Sequence, residues 1–249
     1  MKLTFDRGGD GPRLLVLLHG LSATRHVWTN FIATGHWKGS WIAPDLRGHG
    51  ASAHADDYSL DAHAADIAEL VRDAGEWSEV VVLGHSMGGA IAIALASGAY
   101  GIAPAQVFGL GIKVAWNDDE LAALRKMPAM PVKLFATRDE AIGRYLKVSG
   151  LSGLIARDST NALAGVVETQ DGWRLACDPA TASVGAPPMK ELVAAARAPI
   201  HLARGAADAM VSHGQLTVFD LRARDLPGGH NAMVENPDAV WDWIDETLK

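Results

Sequence analysis

Short apolar runs and amphipathic stretches alternate along most of this chain. Leu14–Leu18, Ser40–Ala43, Glu79–Leu83, Gln106–Ile112 and Ala198–Ala203 are rich in Val, Ile, Leu and Ala, and most end at Gly, Pro, Asp or His. Runs that are apolar on successive positions predict strands covered on both faces. Between them, His26–Ala33, Ser59–Ala74 and Ala90–Ser97 read as helices. In Ser59–Ala74, Ile67, Leu70 and Val71 share one face, while Asp61, Asp66, Glu69 and Arg72 lie elsewhere. A further strand is expected at Leu216–Leu221. A closing amphipathic helix is expected at Pro237–Leu248, with Trp241, Ile244 and Leu248 on its apolar side. Strands separated by helices predict an α/β fold built on a mostly parallel, doubly wound sheet.

The alternation breaks between residues 113 and 190. Asp118–Lys126, Asp139–Lys147 and Ser159–Val167 look helical, and no sheet strand is expected there. The chain therefore reads as a body formed by 1–112 and 191–249, with a helical cap at 113–190 inserted into it. A cap in that place is expected over the carboxyl ends of the strands, where open α/β sheets bind ligands.

Composition narrows the function. The 249 residues are 49% hydrophobic and 20% charged, with a formal net charge of −7. No basic patch stands out, so nucleic acid and anionic membrane are not expected partners. A small-molecule substrate is expected instead, with the chain a monomer or homodimer and neither cofactor nor metal involved. The lone cysteine, Cys177, excludes an intrachain disulfide. Met1–Gly8 lacks the apolar core of a secretion signal, and no run approaches the ~20 residues of a membrane span. The expected compartment is cytoplasmic.

The chemistry centres on Gly84-His85-Ser86-Met87-Gly88-Gly89, between the apolar run Val80–Leu83 and the Ala/Ile run from Ala90. Gly-x-Ser-x-Gly between a strand and a helix is a nucleophile elbow. Small residues two before and two after the serine let the chain fold tightly enough to lift its hydroxyl clear. A serine needs a base, and the base needs a carboxylate to orient it. Of ten histidines, His230 in Pro227-Gly228-Gly229-His230-Asn231 is the best placed, in a flexible loop after the last strand. His85 adjoins the serine, but its side chain is expected to point away. His49, His54 and His63 read as structural or solvated, and His213 as a partly exposed turn residue. Asp208, directly after the Ala198–Ala203 strand, is the favoured carboxylate over Asp220 and Asp225. The order Ser86, Asp208, His230 is the one this architecture uses. Backbone N–H groups of Leu21 and Met87 are the candidate oxyanion donors, with Gly20 giving room and His19 orienting the loop.

Together, His19-Gly20, Asp45-Leu46-Arg47-Gly48-His49-Gly50-Ala51-Ser52, Gly84–Gly89, Asp208 and His230 resemble the α/β-hydrolase fold with a helical cap. The resemblance spans nearly the whole chain. It implies carboxylesterases, lactonases, C–C bond hydrolases, thioesterases and cofactorless oxygenases as relatives. Relatives with aspartate at the elbow, the haloalkane dehalogenases and epoxide hydrolases, are disfavoured by Ser86. The abbreviated amino terminus implies that one of the usual edge strands is missing, and Asp45 and Arg47 are expected to pair and brace their loop.

The expected reaction is hydrolysis of a small to medium, largely apolar ester or lactone through an acyl-enzyme. Hydrolysis of a C–C bond in a β-diketone or ring-cleavage product is the alternative, and a cofactorless oxygenase or a hydrolase-like ligand receptor stands behind it. Trp116, Met127, Met130, Phe135, Met210 and Met233 are the candidate pocket residues, with Leu146 a further one. Arg125, Arg138 and Arg144 are expected on solvated helix faces.

Overall fold

The computed structural model describes residues 1–219 and 221–249. The main sheet contains β1 (Phe5–Gly8), β2 (Arg13–Leu18), β3 (Ser40–Pro44), β4 (Glu79–His85), β5 (Gln106–Leu110), β8 (Ile200–Gly205) and β9 (Ala223–Leu226). A separate hairpin, β6 (Val166–Thr169) and β7 (Gly172–Leu175), lies in the insertion. The helices are α1 (Thr29–Ala33), α2 (Leu60–Ala74), α3 (Met87–Leu95), α4 (Asp118–Lys126), α5 (Arg138–Val148), α6 (Thr160–Ala164), α7 (Met189–Ala195), α8 (His213–Leu216), α9 (Ala232–Glu235) and α10 (Pro237–Thr247).

Seven strands pair in the order β1-β3-β2-β4-β5-β8-β9. Only β1 runs antiparallel to its neighbour, and it is the one strand formed before Arg13. Successive side chains of a strand point to opposite faces. Leu14, Val16 and Leu18 therefore pack with Ile67 and Val71 of α2 and Ile91 and Ile93 of α3. Leu15 and Leu17 join Trp28, Phe31, Trp241 and Ile244 on the other face. There Phe31 and Trp241 stack at 4.1 Å, and the Trp241 indole N–H donates to Phe31 O at 2.8 Å. This two-layer burial explains why β2, β4 and β5 read as unbroken apolar runs.

Helices of the insertion are started by their own side chains. Asn117 with Glu120, and Thr137 with Glu140, form reciprocal capping boxes at α4 and α5. Ala141, Tyr145 and Leu146 of α5 are buried in the same cluster as Trp28 and Trp241, which anchors the insertion to the body. Helix α7 runs across the expected boundary at 190, and its Met189 lies in the core that α3 occupies.

Two elements differ from the sequence expectation. The insertion does contain strands: β6 and β7 form a four-residue antiparallel ladder joined at Gln170-Asp171, and Val166–Val167 belongs to it rather than to a helix. Strands this short show too few alternations to reveal a period. The expected strand at Leu216–Leu221 is instead helical through Phe219, because Ser212 and Gln215 cap α8. Asp220 lies outside the described residues. The true edge strand is Ala223–Leu226, whose central Arg224 and Asp225 are exposed, as suits an edge guarded by charge.

Candidate active site

The elbow forms where β4 runs into α3. Ser86 takes φ +52° and ψ −117°, a region that is costly for a residue with a side chain. Its N–H donates to Leu110 O of the neighbouring strand at 2.9 Å. A Cβ on Gly84 would stand 2.1 Å from Gly88 O, and one on Gly88 2.3 Å from Leu18 O. Both positions thus admit only glycine without backbone movement, the spacing expected of the motif. Among the described residues, Ser22 (φ +63°) is the other non-glycine with positive φ. It lines the same cavity as Ser86, and sequence reasoning did not single it out.

Asp208 and His230 come from loops after adjacent strands. β8 and β9 pair in parallel with Gly205 beside Leu226, and Ala206 N–H and Ala207 N–H donate to Leu226 O and Gly228 O at 2.7 and 2.9 Å. The two loops are thereby stitched together, and His230 Nδ1 meets Asp208 Oδ2 at 2.8 Å. The other oxygen of Asp208 accepts from Met210 and Val211 N–H at 2.7 and 3.2 Å. Burial pushes the Asp208 carboxyl upward, but its hydrogen bond and charge interaction with His230, with the two amide donors, hold it below its ordinary value. An ionised Asp208 requires Nδ1–H on His230 and leaves Nε2 to act as the base.

Ser86 and His230 both line one cavity of about 600 Å3, together with Leu21 and Met87. The structure joins Asp208 to His230 by a hydrogen bond and brings Ser86 into the same cavity, without a hydrogen bond from its hydroxyl to the imidazole. Both groups adjoin the end of β5: Ser86 N–H bonds Leu110, and a Cβ on Gly111 would lie 3.4 Å from His230 Nδ1. Such contacts often lengthen in unliganded sites and tighten with substrate.

The opposite rim is the Gly20–Ser22 loop. Gly20 approaches so closely that a Cβ there would stand 3.2 Å from Ser86 Cβ. Buried His19 donates through Nδ1 to Gly20 O at 2.8 Å and accepts at Nε2 from Leu46 N–H at 3.0 Å. Burial is the main reason its pKa falls to about 3. It is a neutral brace, as expected. His49 Nε2 accepts from Ser22 N–H at 3.2 Å and fixes the strained end of the loop. Met87 is the first residue of α3, and its N–H has no partner within the helix. No described acceptor engages Leu21 N–H.

Several expectations are corrected. His85, expected only to turn away from Ser86, engages the His230 loop. Its ring packs edge-on to His230 at 4.7 Å, and its Nε2–H donates to His230 O at 2.9 Å. Asp45 and Arg47 do not pair. Asp45 is buried against Arg25, accepting its backbone N–H at 2.8 Å, while Arg47 reaches Asp66 of α2 at 2.7 Å. Asp66 is accordingly buried. Of the pocket candidates, Trp116, Met127, Met130, Phe135 and Met210 line the cavity. Met233 does not: it is fully buried beneath the His230 loop, in the cluster of Trp241 and Ile244. Leu146 is likewise turned into the body. Arg144 is exposed, as expected of a solvated helix face, and also lines the cavity. His213 and Asp225 lie 3.2 Å apart on the surface, away from the cavity.

This fold and this arrangement define a class. The sequence pattern described as the Alpha/beta hydrolase family matches residues 15–243, and the chain belongs to that family. Among curated relatives, lipase LipV of Mycobacterium tuberculosis is 37% identical over 90 residues, covering 36% of this chain and 34% of the lipase. Mouse epoxide hydrolase 4 is 36% identical over 88 residues, covering 34% of this chain and 24% of that protein. These matches thus span about a third of such relatives or less. Among solved structures, E-2-(acetamidomethylene)succinate hydrolase superposes with a TM-score of 0.82 at 22% identity, covering 99% of this chain and 94% of that one. A thermophilic esterase from Thermogutta terrifontis gives 0.72 at 22% identity, covering 99% and 92%. Among the described residues, no helix is long and apolar enough to cross a membrane.

Proposed function

We propose that this chain is a serine hydrolase of the carboxylesterase type, with Ser86 as nucleophile, His230 as base and Asp208 as its orienting carboxylate. The observation that carries the reading is the pairing of Asp208 with His230 at 2.8 Å in the cavity that holds the strained Ser86. Ser86 Oγ attacks the substrate carbonyl and its proton passes to His230 Nε2. The resulting oxyanion accepts hydrogen bonds from Leu21 and Met87 N–H, each donor contributing on the order of 3 kcal/mol to the transition state. The intermediate collapses as the C–O bond breaks, and His230 returns the proton to the leaving oxygen. Water then attacks the acyl-enzyme, giving its proton to His230. Collapse of the second intermediate frees the acid and restores the serine hydroxyl.

The substrate is an ester or lactone with an apolar portion. Trp116, Met127, Met130 and Phe135 of the insertion wall the cavity, whose size suits a small to medium ligand. In this reading residues 113–190 act as a cap that excludes water from the acyl-enzyme. The test is a panel of esters, lactones, thioesters and vinylogous diketones, with the Ser86→Ala protein as blank. Multiple turnover of esters or lactones that the blank lacks supports the reading. Preferred cleavage of the diketones would move the assignment to C–C hydrolysis, and equal rates in both proteins would refute it.

A further inference from the structure

The cavity wall carries charges that the triad does not explain. Among the described residues, Lys113, Lys133, Arg144 and Lys147 line it against a single acidic residue, Asp178. Lys113 is paired with Glu120, and Asp178 accepts from the Tyr58 hydroxyl at 2.8 Å. Elsewhere Arg13, Arg25, Arg47, Arg157, Arg204 and Arg224 each hold a carboxylate. Lys133, Arg144 and Lys147 make no ion pair with any described carboxylate; Arg125, Arg138 and Arg174 of the insertion make none either, but they do not line the cavity.

All three are exposed and line the cavity, which places them at its mouth. Arg144 and Lys147 stand three residues apart on α5, hence on one face. The Lys133 ammonium lies 5.1 Å from the centroid of Phe135, itself a wall residue. The carboxyl end of α5 is fixed to the catalytic loop, because Asn231 Nδ2–H donates to Ser149 O and Gly150 O at 3.2 and 3.1 Å. Arg144 and Lys147, in the last turns of α5, are therefore held on the His230 side of the cleft. A chain of net charge −7 repels anions at long range, and unpaired cations at the mouth offset that locally.

We infer that the preferred substrate is an amphiphilic ester with a terminal anionic group, its acyl carbon at Ser86, its apolar spacer against Trp116 and Met127, and its anion at the rim of Lys133, Arg144 and Lys147. The inference rests on the serine-hydrolase reading above and adds the substrate class. Exposed cations interact modestly one at a time, so the three together predict about a 10-fold preference in kcat/KM for an acidic ester over its neutral counterpart at low salt.

The test compares mono-4-nitrophenyl adipate with 4-nitrophenyl hexanoate, two chains of equal length differing by the carboxylate. The expected result is a preference for the adipate, expressed in KM, that fades as ionic strength rises from about 0.01 M to about 1 M and the Debye length shrinks from about 30 Å to about 3 Å. The double variant Arg144→Gln, Lys147→Gln should lose most of that ratio. Arg224→Gln, at the far edge strand, should leave both rates and the ratio as they are. Turnover of both esters without preference, or a preference that survives the double variant, would overturn the anionic-substrate inference while the hydrolase stands. Failure of both esters to turn over, with no labelling of Ser86, would bring down the hydrolase reading and this one with it.

Discussion

At the residue scale, the site is a set of side chains whose freedom has been removed by their neighbours. Ser86 is held with positive φ, and Asp208 is committed by three hydrogen bonds. Ser86→Ala is expected to lower ester turnover by at least about 10^3-fold with the fold intact, read by kcat and by circular dichroism. Asp208→Asn should lower kcat by about 10^4, because the amide stabilises the wrong tautomer of His230. His85 supplies a subtler test. Burial and the nearby His230 push its pKa down to about 3, so at neutral pH it is an uncharged donor to His230 O. His85→Phe keeps a ring but loses that donor, and kcat should fall about 10-fold with little change in KM, the equivalent of one hydrogen bond. His85→Gln should recover part of the loss, whereas a merely steric role would make Phe the better substitute. The pairing of Asp208 with His230, and their nearness to Ser86, were legible because the proposed chemistry demands particular residue types after particular strands. The contact of His85 with His230 was not, since that partner lies in a loop 145 residues away.

At the element scale, function depends on what joins the strand ends. A Cβ on Gly205 would lie 2.0 Å from Gly229 O, where the β8 and β9 loops cross. Gly205→Ala should therefore part Asp208 from His230, lowering kcat more steeply than thermal stability, as activity assays beside melting curves would show. The strands buried on both faces could be read from their unbroken apolar runs. The β6–β7 hairpin and the edge strand β9 could not: each has four residues, and β9 has charge where a central strand has Val or Leu. The helix at His213–Leu216 was hidden for a similar reason, its apolar Leu216 looking like the start of a strand until the capping box is considered. The braces around Asp45 show another limit. The motif announces a tight loop, but the partners, Arg25 and Asp66, come from other elements.

At the scale of the whole molecule, one sheet covered on both faces carries an insertion whose helix α5 is rooted in the body core while its far face lines the cavity. The core also holds titratable groups. His19, His63 and His85 are buried, chiefly burial lowers each pKa to about 3, and all three are neutral in the folded chain. The unfolded chain takes up their protons near the ordinary value of 6.5, so the unfolded state binds more protons between about 3 and 6.5. Stability is thus full above that window and falls with pH inside it, by about 1.4 kcal/mol per histidine for each pH unit. Asp208, held below its ordinary value, adds a loss of the same sign at lower pH. Urea unfolding at pH 7 and pH 5 should show the fall, and equal midpoints would contradict it. The central claim, that Ser86 is the activated nucleophile, is tested most directly by a fluorophosphonate probe followed by peptide mass spectrometry. The account predicts one adduct, on the peptide containing Ser86, formed quickly in the native chain, slowly in His230→Ala and not in Ser86→Ala. An adduct confined to another residue, or an unlabelled Ser86 in a chain that turns over esters, would contradict it.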